Sequence, residues 1–172
     1  DCAGSINCGG QTCDPAQDVF CADHFFENTD SPLATDRVET YSCGGPAQDG
    51  REMAFLFFPE QYWPPREQIV TVSLFPYEHD LNLFVLLGPW EDDDFGVCDP
   101  GLCIASAITS GTNPEEISFL TEPGRLYFFL VDGEDWQTSE FELLVDCELL
   151  CVPEICTDYV DNDCDGLIDC ED

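Results

Sequence analysis

The residues best equipped for chemistry lie at the C-terminal end, in the run Asp161-Asn162-Asp163-Cys164-Asp165-Gly166-Leu167-Ile168-Asp169-Cys170-Glu171-Asp172. Acids stand at its first, third, fifth, ninth and twelfth positions, around a glycine at the sixth. Alternating carboxylates can turn to one side of a curling backbone, the glycine permits the sharp bend, and the seventh residue offers its carbonyl. An all-oxygen set of this kind suits a hard cation, and calcium takes six to eight oxygens at about 2.3–2.6 Å. The expected ligands are Asp161, Asp163, Asp165, the carbonyl of Leu167, Asp169 acting through water, and Asp172. Asp172 stands where a calcium loop normally carries a bidentate glutamate; its shorter side chain loosens that contact, while its α-carboxylate can add an oxygen. A merely solvated acidic stretch would not need this spacing around a glycine. No histidine or methionine lies nearby, so a soft-metal site such as copper is disfavoured.

A tail this short buries too little apolar surface to fold alone, so Cys156, Cys164 and Cys170 are expected to staple it. The chain holds 12 cysteines, and no two are separated by only two residues, which argues against a zinc ribbon. Disulfides formed in an oxidising, extracellular setting are the better reading. Cys98 and Cys103 are expected to close a local turn, and Cys43 and Cys147 to pin the sheet shut. The spacings of Cys2, Cys8, Cys13 and Cys21 share a four-then-seven pattern with Cys151, Cys156, Cys164 and Cys170, which reads equally as two related staples or as chance. The start at Asp1 reads either as a mature secreted chain after removal of a signal peptide or as a chosen boundary.

Between the cysteine-rich ends lies most of the aliphatic and aromatic mass. Short apolar segments at 37–43, 51–58, 67–75, 81–87, 103–109, 115–120, 125–131 and 138–146 are bounded by turn formers such as Gly44-Gly45, Gly88-Pro89 and Pro123-Gly124. Val70, Val72 and Leu74 alternate with Thr71 and Ser73, as do Phe141, Leu143 and Val145 with Glu140, Glu142 and Leu144. The runs 81–87 and 126–131 are almost continuously apolar, as strands covered on both faces would be. The expected fold is all-β, an antiparallel, jelly-roll-like sandwich over 31–147, with disulfide-stapled extensions at 1–30 and 148–172.

Two resemblances follow from particular residues. Arg51-Glu-Met-Ala-Phe-Leu-Phe, Ile69-Val-Thr-Val-Ser-Leu, Asp80-Leu-Asn-Leu-Phe-Val-Leu, Glu116-Ile-Ser-Phe, Pro123-Gly-Arg-Leu-Tyr-Phe-Phe-Leu-Val-Asp-Gly and Phe141-Glu-Leu-Leu-Val resemble the bacterial pre-peptidase C-terminal domain over 37–147. The resemblance implies a jelly-roll-like, generally non-catalytic module of secreted proteases and surface proteins, several of which bind calcium or polymeric substrates. Glu154, Cys156, Asp158, the run Asp161-Asn-Asp-Cys-Asp-Gly and Asp169 resemble the MopE-type metal-binding motif of secreted Gram-negative proteins. Tyr159 stands where that motif usually has glycine, so the approach turn is expected to differ.

The charge sets the outer limits. With 37 acids against four basic residues the formal charge is −33, which excludes nucleic acid and anionic membrane as direct partners. Hydrophobic residues at 44% exclude a disordered acidic tail. Acidity also suits high salt, a halophilic account that competes with calcium. Catalytic motifs are missing: His24 and His79 are the only histidines, and Ser5 lacks the second glycine of a nucleophile elbow. Glu91-Asp-Asp-Asp and Asp132-Gly-Glu-Asp read as a second cation site or as ordinary turns, with Asp132-Gly-Glu-Asp fitting a hairpin at least as well. Tyr62-Trp63-Pro64-Pro65 and Pro89-Trp90 read as an exposed contact patch or as residues buried under the sandwich edge.

Together these readings describe a secreted bacterial protein that binds calcium and acts structurally or adhesively, self-associating through calcium and sandwich edges into a fibre or matrix. The alternative is an accessory module that carries a hydrolase to a polymeric ligand. Deleting Asp172 is expected to lower calcium affinity, read by calorimetry, and unchanged binding would remove Asp172 from the ligand set.

Overall fold

The computed structural model describes residues 16–59, 66–90 and 98–168 of the 172-residue chain. Their strands are β1 (Ala16–Val19), β2 (His24–Asn28), β3 (Met53–Phe57), β4 (Gln68–Pro76), β5 (Leu81–Trp90), β6 (Cys103–Ala107), β7 (Glu115–Leu120), β8 (Arg125–Gly133) and β9 (Glu140–Leu149). They build two sheets, ordered β1-β3-β8-β5-β6 and β2-β9-β4-β7, packed as a sandwich. Neighbours pair antiparallel, except that β1 lies parallel to β3. The all-β antiparallel sandwich expected from the alternation is the fold observed.

Alternation decides which side chains face the partner sheet. Phe55, Phe57, Leu83, Val85, Phe129 and Val131 of one sheet meet Val70, Val72, Leu74, Phe141, Leu143 and Val145 of the other, all essentially excluded from water. Each such side chain contributes roughly 1.5–3 kcal/mol of transfer free energy. The continuous apolar runs of β5 and β8 have a second cause. Phe84, Leu86, Leu126, Phe128 and Leu130 point away from the partner sheet and form a separate core with Val38, Tyr41 and Cys98. The five-stranded sheet is thus covered on both faces, by a sheet on one side and by loop on the other.

That cover corrects one expectation. Residues 37–43 form no strand; the nearest ladder contact is a single bridge between Thr35 and Glu52. Val38 and Tyr41 are spaced by three, so they act as anchors rather than as one face of a strand. The ring of Tyr41 stacks on Phe84 at 3.7 Å and 12°. Beyond it the chain returns to the sheet at Gly50, whose amide donates to the Gly133 carbonyl at 2.9 Å. A Cβ on Gly50 would sit 2.5 Å from that oxygen, so only glycine allows the approach.

A second correction concerns residues 16–28, which the sequence places in an N-terminal extension. β1 and β2 each add an edge strand, one to either sheet, and Val19 is fully buried. Both strands are short, Ala-Gln-Asp-Val and His-Phe-Phe-Glu-Asn, and carry little periodicity. At the other boundary β9 runs on to Leu149.

The disulfides differ from both expected pairings. Cys147 bonds Cys21, tying the β1–β2 turn to β9 across 126 residues, and Cys43 bonds Cys103. Cys43 lies on the cover of the five-stranded sheet, so β6 is within its reach, whereas Cys147 belongs to the opposite sheet. Cys98 and Cys103 do not pair with each other, since Cys103 is bonded to Cys43; between them lies the 3-10 turn Pro100–Leu102, capped by Asp99 Oδ1 on the Gly101 amide at 2.8 Å. Cys98 points into the outer core and is also disulfide-bonded. A bridge over so long a separation contributes about 2–4 kcal/mol.

The cover also encloses polar groups. Glu52, Asp132 and Asn82 are buried in register across β3, β8 and β5, and the Tyr41 hydroxyl donates to Asp132 Oδ2 at 2.7 Å. Asp132 Oδ1 and Asn82 Oδ1 have no hydrogen-bonding partner among the described residues. Burial pushes the Asp132 carboxyl up from 3.8 to about 8; Tyr41 opposes this, and the carboxylates of Glu52 and Asp36 reinforce it. A retained proton gives this row of acceptors the donor it lacks. Because the folded-state value is raised, the folded chain binds this proton more tightly than the unfolded chain. The resulting stability is complete below about pH 4 and is lost as pH rises to about 8, with a slope approaching about 1.4 kcal/mol per pH unit. Asp132→Asn is expected to flatten that dependence, measured as denaturant unfolding free energy from pH 5 to pH 9 against wild type.

Candidate metal centre

The C-terminal loop hangs from the end of β9 and is anchored before it curls. The Leu150 amide donates to the Glu67 carbonyl at 3.1 Å, the Val152 amide donates to the Asn162 carbonyl at 2.9 Å, and Cys151 bonds Cys164. Cys156 is disulfide-bonded as well. These ties replace the apolar core that the segment lacks, since Val152, Ile155, Tyr159, Leu167 and Ile168 remain exposed.

Within the loop each acid turns its own backbone. Asp161 Oδ2 accepts from the Gly166 amide at 3.0 Å, Asp163 Oδ1 from Asp165 at 3.2 Å, and Asp165 Oδ1 from Leu167 at 2.8 Å. Short polar side chains that accept from an amide two residues on are the means by which aspartate drives a turn. Gly166 takes φ +92°, the left-handed conformation that the bend needs. Tyr159 takes φ +62°, so the position where the resembled motif carries glycine is left-handed here too, with a tyrosine holding it.

Glu154 closes the loop from outside the expected ligand set. Its Oε2 accepts from the amides of Asn162 at 2.8 Å and Asp163 at 3.3 Å. Asn162 in turn donates from Nδ2 to both carboxylate oxygens of Asp158, at 3.1 and 3.0 Å. The guanidinium of Arg66 donates to the Asp161 carbonyl, which fixes the backbone of the first acid.

These bonds bring carboxylate oxygens of Glu154, Asp161 and Asp163 within 4.8 Å of one another. Ligand oxygens on one calcium stand up to about 5 Å apart across the ion. Glu154 Oε1 and Asp161 Oδ1 are shielded from solvent and have no hydrogen-bonding partner among the described residues. Two shielded anionic oxygens without donors are costly unless a cation serves them, so the residues present fit a hard divalent ion. Of the expected ligands, Asp161 and Asp163 belong to this group. Asp165 is exposed and engages the Leu167 amide, and Leu167 is itself exposed. Asp169 and Asp172 lie outside the described residues. Sequence spacing left Glu154 out of the candidate set because it precedes the loop; its place in the resembled motif was the one signal available.

The weaker candidates divide. Asp132 is a buried strand residue, and the connection after it turns through left-handed Asp135 and Trp136. Residues 60–65 and 91–97, which hold Tyr62-Trp63-Pro64-Pro65 and Glu91-Asp-Asp-Asp, lie outside the described residues, as do Ser5, Cys2, Cys8 and Cys13. His24 meets Glu142 on the outer face of β2, and His79 lies in the β4–β5 turn, its amide donating to Ser139 Oγ at 3.2 Å.

No family model matches the chain, and no curated protein matches it. Among solved structures the chain is similar to the pre-peptidase C-terminal domain of a collagenase from Bacillus anthracis, with 16% identity and a TM-score of 0.45, over 76% of this chain and 94% of that one. A likeness at this level assigns no residue and no activity.

The geometry ranks the ligands. Glu154→Gln is expected to weaken calcium binding by about tenfold or more, and Asp165→Asn by less, because Glu154 Oε1 is the shielded oxygen without a hydrogen-bonding partner and Asp165 holds the loop's backbone. Isothermal titration of the two variants side by side checks the order.

Proposed function

We propose that this chain is a secreted, non-catalytic, calcium-binding structural or adhesive protein whose subunits associate through calcium and exposed sheet edges. The observation that carries the calcium reading is the pair of shielded, donorless oxygens on Glu154 and Asp161 beside Asp163. Calcium supplies a divalent charge that binds these carboxylates together; Glu154 would hold it from the segment before the loop and Asp161 from the loop's first position, where Arg66 keeps the Asp161 backbone in place. The bonded disulfides support an oxidising compartment, and no helix among the described residues is long and apolar enough to cross a membrane.

Association has two supports. The edge strands β1, β2, β6 and β7 are each short, so any lateral pairing needs help from another bond. A charge of −33 keeps copies apart until cations bridge them. A second reading, an accessory module that docks on a polymeric ligand, draws support from the outer face of the four-stranded sheet, which no other described element covers and where Phe26, Ile69 and Leu120 are exposed.

Millimolar calcium is expected to raise the melting temperature, and sodium chloride at equal ionic strength to raise it less. Equal shifts would favour a salt-adapted surface over a specific site. Negative-stain images with calcium are expected to show filaments that dissolve on chelation, whereas single particles in both conditions would reject self-assembly.

A further inference from the structure

We propose that a cleft beside the start of β9, on the outer face of the four-stranded sheet, binds an arginine side chain of a basic polypeptide partner. The cleft has a volume of about 290 Å³ and is lined by Phe26, Glu27, Asn28, Tyr77, Glu140 and Phe141. Two large aromatic side chains are held in water there, Phe26 at 66% and Tyr77 at 52% exposure.

Both rings are fixed in advance. The Tyr77 amide donates to the Glu140 carbonyl at 3.0 Å, and its hydroxyl donates to Glu142 Oε2 at 3.0 Å. The other oxygen of Glu142 takes Nε2 of His24, and the His24 ring packs against Phe26 at 4.6 Å. Glu142 is thereby occupied as the brace of the aromatic pair. Glu27 is engaged by Gln17 Nε2 at 3.2 Å. The Glu140 carboxylate is exposed and makes no hydrogen bond or ion pair among the described residues.

Two exposed aromatic rings lining one cleft with an unengaged carboxylate match a guanidinium. The planar, weakly hydrated arginine head stacks on aromatic faces while its N–H groups donate to a carboxylate. A lysine ammonium can answer the charge and sit over a ring but lacks the planar stacking, and a neutral sugar can stack on the rings and donate hydroxyls to the carboxylate but does not neutralise it. The partner is a different chain, because a second copy brings four basic residues against 37 acids. The same excess of acid draws a basic segment toward the surface from a distance.

The cleft stands apart from the metal centre. Glu140 begins β9 and the metal loop follows its end at Leu149, a separation of about 30 Å along the strand. Loss of one site therefore leaves the other measurable.

The test is an NMR titration of the full, disulfide-bonded chain in calcium at about 0.15 M salt, where distant attraction is screened. The probes are acetyl-Gly-Arg-Gly amide and its lysine and citrulline counterparts. The arginine peptide is expected to shift resonances of Phe26, Tyr77 and Glu140 in a saturable way, the lysine peptide to bind about threefold more weakly, and the citrulline peptide not to bind. Phe26→Ala and Glu140→Gln, both at exposed positions, are each expected to weaken arginine binding by about threefold to tenfold at unchanged melting temperature. Equal affinity for arginine and lysine, shifts spread over the acidic surface, or variants that bind as wild type would overturn the proposal. So would cellohexaose producing these shifts when the arginine peptide does not.

Discussion

A sheet whose central strands are apolar on both sides must be sealed twice, and the architecture follows from that demand. The inner face of β1-β3-β8-β5-β6 is closed by the second sheet, and the outer face by residues that precede β3. Loop backbone packed on a sheet leaves polar groups to satisfy, and here Tyr41 answers two needs at once. Its ring covers Phe84 and its hydroxyl meets Asp132, while Cys43–Cys103 fastens the cover's far side. With one sheet enclosed in this way, the other remains open to water on its outer face. Phe26, Ile69 and Leu120 are the apolar side chains exposed along it.

The acids sort by the work their surroundings allow. Burial pushes the Asp132 carboxyl up to about 8, and it accepts from the Tyr41 hydroxyl within the outer core. Asp161, Asp163 and Asp165 turn the C-terminal loop through their own backbone amides, and Glu154 gathers it from behind. Glu142 braces Tyr77 and His24 on an open face. Most of the remaining excess stays on the surface, where it repels copies of the chain and attracts cations. One divalent ion offsets only two charges of −33, so most of the excess is left for other counterions and solvent to balance.

Much of the sandwich was legible because burial leaves a period in the sequence. β4 and β9 alternate, β5 and β8 are apolar throughout, and the turns between them carry glycine and proline at positions that stop a strand. β1 and β2 were not legible, since four- and five-residue edge strands bury too few side chains to show a pattern. Residues 37–43 misled for the opposite reason: Val38 and Tyr41 supply strand-like residues to a segment whose backbone joins no strand ladder. The disulfides were illegible in principle, because a pairing depends on which elements meet in space and spacing says little about that.

The sequence by itself determined that the chain is acidic, disulfide-rich and all-β, and that its C-terminal loop is built of oxygen donors around a glycine. Composition and local spacing carry that information, because charge, turn chemistry and strand period are properties of neighbouring residues. Only the tertiary structure decided that Glu154 joins Asp161 and Asp163, that Cys147 reaches back to Cys21, and that Phe26 stands beside Tyr77 and Glu140. The last two join residues from separate elements. Their meeting is set by the packing of the two sheets and by the ties that hold the loop to β4 and β9, and nothing in local sequence records it.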